Sequence, residues 1–237
     1  MKSAPNRSGT LRKAASIGLV TVVSMAAAGC LRVSNGTWYI KSAATPEGWP
    51  ALTPVGSVEV KDYPVYRAAI VTEVDIAEED RRSMFMELFR HISAEDIAMT
   101  APVDMGYADA PGGPRMTSMA FLYGSTDQGS VGTDGPVRVE DLSSRRCASV
   151  GVRGGYTNRN YERGLAMLDT WLSENPGWKP DGPPRYLGYN SPFVPSFWRY
   201  GEVQIAVIDE GDGADATGVP DRIATAPPTR PESAPRE

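Results

Sequence analysis

The sequence predicts an α+β fold in which a strand–helix–strand–strand order occurs twice, each copy placing one helix on an antiparallel sheet. Three observations predict it: two amphipathic helical stripes, alternating β-branched runs on either side of each, and turn chemistry between the runs. The two copies share a pattern rather than residues.

The first copy opens on "VEVKDYPVYRAAIVTEVD" (58–75), an alternating strand region with a turn near Asp62–Pro64. "EEDRRSMFMELFRHIS" (78–93) follows as a helix, acidic at its start, with Met84, Phe85, Leu88, Phe89 and Ile92 on one stripe. Next comes "IAMTAPVDM" (97–105), read as a strand with Ile97, Met99, Ala101, Val103 and Met105 on an apolar face, bent at Pro102. "RMTSMAFLYG" (115–124) completes the copy after the turn-forming "YADAPGGP".

The second copy begins with "VRVEDLSSRRCASVGVRG" (137–154), which is strand-like. "NRNYERGLAMLDTWLSEN" (158–175) is a helix opened by Asn158, with Tyr161, Leu165, Leu168 and Leu172 on one face. "PRYLGYNSPFVP" and "FWRYGEVQIAVID" close it as two strands, with Pro192 in a place comparable to Pro102.

The chain ends differ in character from this domain. Residues 1–29 hold Lys2, Arg7, Arg12 and Lys13, no acid, and an apolar run shorter than the ~20 residues of a membrane span, which describes an export signal. The closing "AAGC" (Ala27–Cys30) resembles the lipobox of bacterial lipoproteins, which implies lipidation at Cys30; Leu31 after it fits outer-membrane sorting in a didermic cell. With Cys30 acylated, Cys147 is the only thiol. Removing the four signal cations leaves 20 basic against 29 acidic residues, a net charge of −9, which argues against nucleic acid and anionic lipid as partners. The expected layout is thus a signal peptide (1–29), a lipid-anchor tether (30–56), one folded domain (57–208) and a disordered acidic, Pro-rich tail (209–237).

"IAMTAPVDM" after a helix ending "ELFRHIS", the late "GYNSPFVP" leading to "GEVQIAV", and the opening "VEVKDYPVYRAAIV" together resemble the SOUL haem-binding protein family over about Val58–Val207. The resemblance implies a distorted barrel of two antiparallel four-stranded sheets flanked by two helices. It also implies binding of haem or a related tetrapyrrole, without catalysis. The exported, lipid-anchored layout departs from the family, whose members are generally soluble cytoplasmic proteins.

Haem requires an apolar slot, cations for its propionates and, in some sites, an axial ligand. The first helix offers Phe85 and Phe89 for the ring, and Arg82 and Arg90 for the propionates. His91, the sole histidine, is the candidate axial ligand. Met99, Met105 and Cys147 are further ligand types, each read first as core.

No paired-His metal site, G-x-S-x-G elbow or phosphate loop is present in the sequence, so no catalytic residue is expected. Two classes remain: a haem-binding envelope lipoprotein, and an envelope interaction or structural module that binds no small molecule.

Overall fold

The computed structural model describes residues 31–73 and 81–211. The signal segment, Cys30 and residues 212–237 of the tail lie outside the described residues. In chain order the elements are β1 (Leu31–Ser34), β2 (Thr37–Ile40), β3 (Val58–Tyr63), β4 (Tyr66–Thr72), α1 (Arg81–Ala94), β5 (Val103–Ala108) and β6 (Arg115–Leu122). There follow β7 (Gly132–Asp134), β8 (Val137–Leu142), β9 (Arg145–Arg153), α2 (Asn158–Glu174), β10 (Trp178–Pro180), β11 (Arg185–Gly188) and β12 (Tyr200–Asp209), with one turn of 3₁₀ helix at Ser196–Trp198.

The α+β class and the doubled order are observed, but the sheet is not the two-sheet barrel that the resemblance implies. One antiparallel ten-stranded sheet runs β3-β9-β12-β11-β5-β6-β4-β8-β7, with β10 paired to β12, and its path is open from β3 to β7. β1 and β2 form a separate hairpin. Each copy lends one strand to the other: β3 pairs with β9, and β8 pairs with β4. The halves join through the β11–β5 ladder, so the hydrogen bonds continue where a gap between two sheets was expected.

Alternation along the strands divides the side chains between two faces. Ala148, Val150, Val152, Val203, Ile205, Met119 and Phe121 face the helices, forming the main core with Leu88 of α1 and Leu168 of α2. Gly164 lets α2 approach closely, because a Cβ there would stand 2.4 Å from Val203 Cγ2.

The opposite face carries Tyr66, Ala68, Ala120, Leu122, Leu187 and Tyr200. It is covered by the segment expected as a tether. Trp49 packs edge-on against Tyr63 and Tyr66, with ring centroids 4.7 and 5.3 Å apart, and its Nε1 donates to Tyr189 Oη at 3.0 Å. Leu52 is buried, and Ala101 N donates to Ala44 O. Residues 31–56 are therefore folded onto the domain, since Trp49, Leu52 and Tyr39 pack on the face that the helices leave bare.

Smaller corrections have local causes. "IAMTAPVDM" is strand only from Val103; Thr100 is buried and donates to Leu122 O at 2.6 Å, while Met99 is exposed. "PRYLGYNSPFVP" is strand only over Arg185–Gly188, and residues 189–195 form a loop. α2 is capped by Thr157, whose hydroxyl accepts from Asn160 N; Asn158 instead donates to Pro114 O.

Candidate functional site

α1 turns most of its expected apolar stripe to the core, with His91 added and Phe89 left outside. Met84, Leu88, His91 and Ile92 are its buried residues, spaced i, i+4, i+7, i+8. Phe85 is half-buried and meets Phe121 edge-on at 5.0 Å, whereas Phe89 is 44% exposed. The two rings lie nearly parallel, 11° apart in plane with centroids at 6.3 Å.

Arg82, Met86 and Arg90 fall at i, i+4 and i+8 on the outer side, all exposed, so that a methionine stands between two cations beside the ring pair. Arg90 forms an ion pair with Glu87 one turn back. Such exposed pairs contribute about 0–1 kcal/mol and are readily exchanged for another anion.

His91 is turned inward. Its Nδ1 lies 2.9 Å from Asp134 Oδ2 at the tip of the β7–β8 hairpin, and its Nε2 lies 3.0 Å from Tyr123 Oη. Both ring nitrogens are therefore taken, and neither faces the outer side of α1 on which Arg82, Met86 and Arg90 lie. The axial-ligand role expected of it is thereby disfavoured, because Asp134, far along the chain, closes over the ring. Of the other candidate ligands, Met105 and Cys147 are buried in the sheet, and burial pushes the Cys147 thiol up. Among the described residues, no group of three or more His, Cys, Asp and Glu side chains could hold a metal ion.

A second constellation, missed from sequence, lies on the face under residues 49–53. The fully buried Glu202 carboxylate accepts from Lys61 Nζ (2.9 and 3.0 Å), Thr53 N (2.8 Å), Tyr200 Oη (2.8 Å), Gln204 Nε2 (2.9 Å) and Ser149 Oγ (3.1 Å). Burial raises the Tyr63, Tyr189 and Tyr200 hydroxyl pKa values, and the Glu202 charge raises them further. With Lys61 as counterion and its oxygens saturated, this cluster clamps the N-terminal segment to the sheet. The signal was there in "YGEVQIAV", where Tyr200, Glu202 and Gln204 alternate with Gly201, Val203 and Ile205.

A concavity of about 270 Å³ opens between Pro46, Gly48, Pro64, Tyr66, Tyr123 and Gly124. It is slightly smaller than the ~300–1,000 Å³ of pockets for drug-sized ligands, and none of the five candidate α1 residues lines it.

The family model described as "SOUL heme-binding protein" matches residues 50–206, from β3 and the stretch just before it into β12. The chain belongs to the SOUL haem-binding family. That is a binding family, not a catalytic one. No curated protein matches the chain. Among solved structures, the chain is similar to the EcmrR C-terminal domain (17% identity, TM-score 0.46, covering 65% of this chain and 98% of that one). In an EcmrR–DNA complex the same likeness spans 57% of the EcmrR chain and 65% of this one (17% identity, TM-score 0.47). An uncharacterised conserved protein from Listeria innocua is 10% identical, with a TM-score of 0.49, covering 65% of this chain and 94% of that one. Likenesses this distant say nothing about the ligand of this SOUL protein.

Proposed function

We propose that this SOUL protein binds haem or a related tetrapyrrole on the outer side of α1, without catalysis, as an envelope lipoprotein anchored through Cys30. The observation that carries the reading is the parallel Phe85–Phe89 pair with one ring open to solvent, in a chain of a haem-binding family. A planar macrocycle needs an apolar face to lie on and cations at its acidic edge. Phe85, Phe89 and Met86 supply the first; Arg82 and Arg90 supply the second, about 12 Å apart along the axis at ~1.5 Å per residue. Met86 is the exposed soft donor on this helix, Met84 being buried. His91, held by Asp134 and Tyr123, then orients α1 rather than ligating iron.

Export and lipidation are supported by the basic, acid-free start, the apolar run and the lipobox-like Ala27–Cys30. In a didermic cell, Leu31 favours the outer membrane.

Hemin titrated into the detergent-solubilised chain, against a detergent blank, tests the binding. A Soret band saturating at one equivalent is the expected result. Featureless uptake past several equivalents would reject it and favour an interaction module that takes no small molecule.

A further inference from the structure

One end of the molecule is aromatic where a solvated surface would be polar. The β1–β2 hairpin pairs Leu31 with Ile40 and Val33 with Trp38, so these four share one face, while Thr37 and Tyr39 on the other face are at least partly buried. On the first face Leu31 is 49%, Val33 73% and Trp38 43% exposed. Beside it, the loop from Ser191 to Arg199 presents Phe193 at 95%, Phe197 at 64% and Trp198 at 46% exposed.

The two pieces form one surface. The Arg153 guanidinium stacks on Trp38 at 3.8 Å and donates to the carbonyls of both Trp38 and Trp198. Asn190 donates to Ile40 O, and Ser191 N donates to Ser42 Oγ. Arg199 braces the loop from inside through Val194 O and Pro192 O, at 2.7 and 2.6 Å. Phe193 is thus held outward by a stapled backbone.

Charge and chain direction identify what this surface faces. No Asp or Glu occurs in residues 31–46 or 182–201, although acids outnumber bases across the chain. Tryptophan, phenylalanine and arginine without acids match the interfacial layer of a phospholipid bilayer, where amphipathic rings and cations sit among headgroups. The apolar run ending at Cys30 is joined directly to Leu31, the first residue of the patch.

We infer that the outer face of β1–β2 and the 191–199 loop dock on the phospholipid surface, fixing the orientation of the domain on its membrane. The inference rests on the anchoring at Cys30 proposed above, not on haem binding.

The test uses membrane-extracted full-length protein reconstituted in vesicles of phosphatidylcholine with brominated or ordinary acyl chains. Trp38 and Trp198 are the exposed tryptophans; Trp49, Trp171 and Trp178 are half-buried, and none lies in residues 1–30. Docking predicts a substantial loss of emission in brominated vesicles, and roughly a twofold smaller loss for F193S/F197S, which lacks two anchoring rings but alters only exposed side chains. Protein that floats with the vesicles but is unquenched, or quenched equally in the variant, overturns the docking and leaves the anchor standing. Protein that does not float overturns both.

Discussion

Arg185 on β11 donates to the carboxylate of Asp104 on β5 at 2.7 Å, across the ladder that joins the two halves of the sheet. Burial opposes the Arg185 charge, but Asp104 offsets this and holds the guanidinium pKa well above its ordinary value. Tyr66 Oη at 2.8 Å, Gln204 Oε1 at 3.0 and 3.2 Å, and Cys147 Sγ at 3.9 Å accept from the rest of the guanidinium. D104N leaves a buried cation without its counter-charge and is expected to cost about 3–5 kcal/mol, read as a lowered urea midpoint. Replacing both partners by Leu and Met should cost less than D104N alone. Equal or greater loss in the double variant would contradict this.

Gly164 is where α2 closes on β12. G164A gains up to about 1 kcal/mol of helix propensity but drives a methyl into Val203, whose Cβ would be only 2.8 Å away. Overpacking of this kind costs about 1–3 kcal/mol, so net destabilisation is expected. G177A, with open space around it, should be nearly neutral by the same denaturation measurement.

Eight of the ten tyrosines have raised pKa values, with burial the largest cause in each. Each is held neutral in the fold and ionises nearer pH ~10 once unfolded. Their contribution to stability is complete below that value and is lost as pH rises toward the folded pKa values. Phenolate absorbance should therefore rise together with loss of near-ultraviolet circular dichroism. Full ionisation with the native spectrum intact would refute it.

His91 and Phe89 should separate cleanly. H91A strands Tyr123 Oη and loses both ring contacts, a cost of about 1–3 kcal/mol, yet leaves the Soret maximum of the hemin complex in place. F89A, at an exposed position, should change stability by no more than about 0.5 kcal/mol and weaken hemin roughly tenfold. A Soret shift in H91A would return the imidazole to the iron.

Local features were legible in the sequence: both helices, the strand pairs around them, the turn before Tyr66 and the doubled order. Long-range partners were not. Periodicity shows that Val58–Tyr63 is a strand but not that its neighbour is β9 of the other copy. The inward turn of His91 depends on Asp134, 43 residues away, and no helical wheel contains that carboxylate. Residues 31–56 look sparse because their worth lies in Trp49 and Leu52 meeting a face assembled from four distant strands. On α1, Phe85 and Phe89 lie ring to ring and Arg82 and Arg90 share the exposed side with Met86, which the sequence hides inside a run of apolar residues.

The exchange of β3 and β8 between copies has a consequence for breakage. A protease nicking the exposed stretch 126–131, between β6 and β7, would sever the polypeptide at its natural midpoint and still free nothing. The upstream fragment would keep its first sheet strand laced into the downstream one, and the downstream fragment would return the favour through β8. What reads as two tandem modules is mechanically a single interlaced sheet.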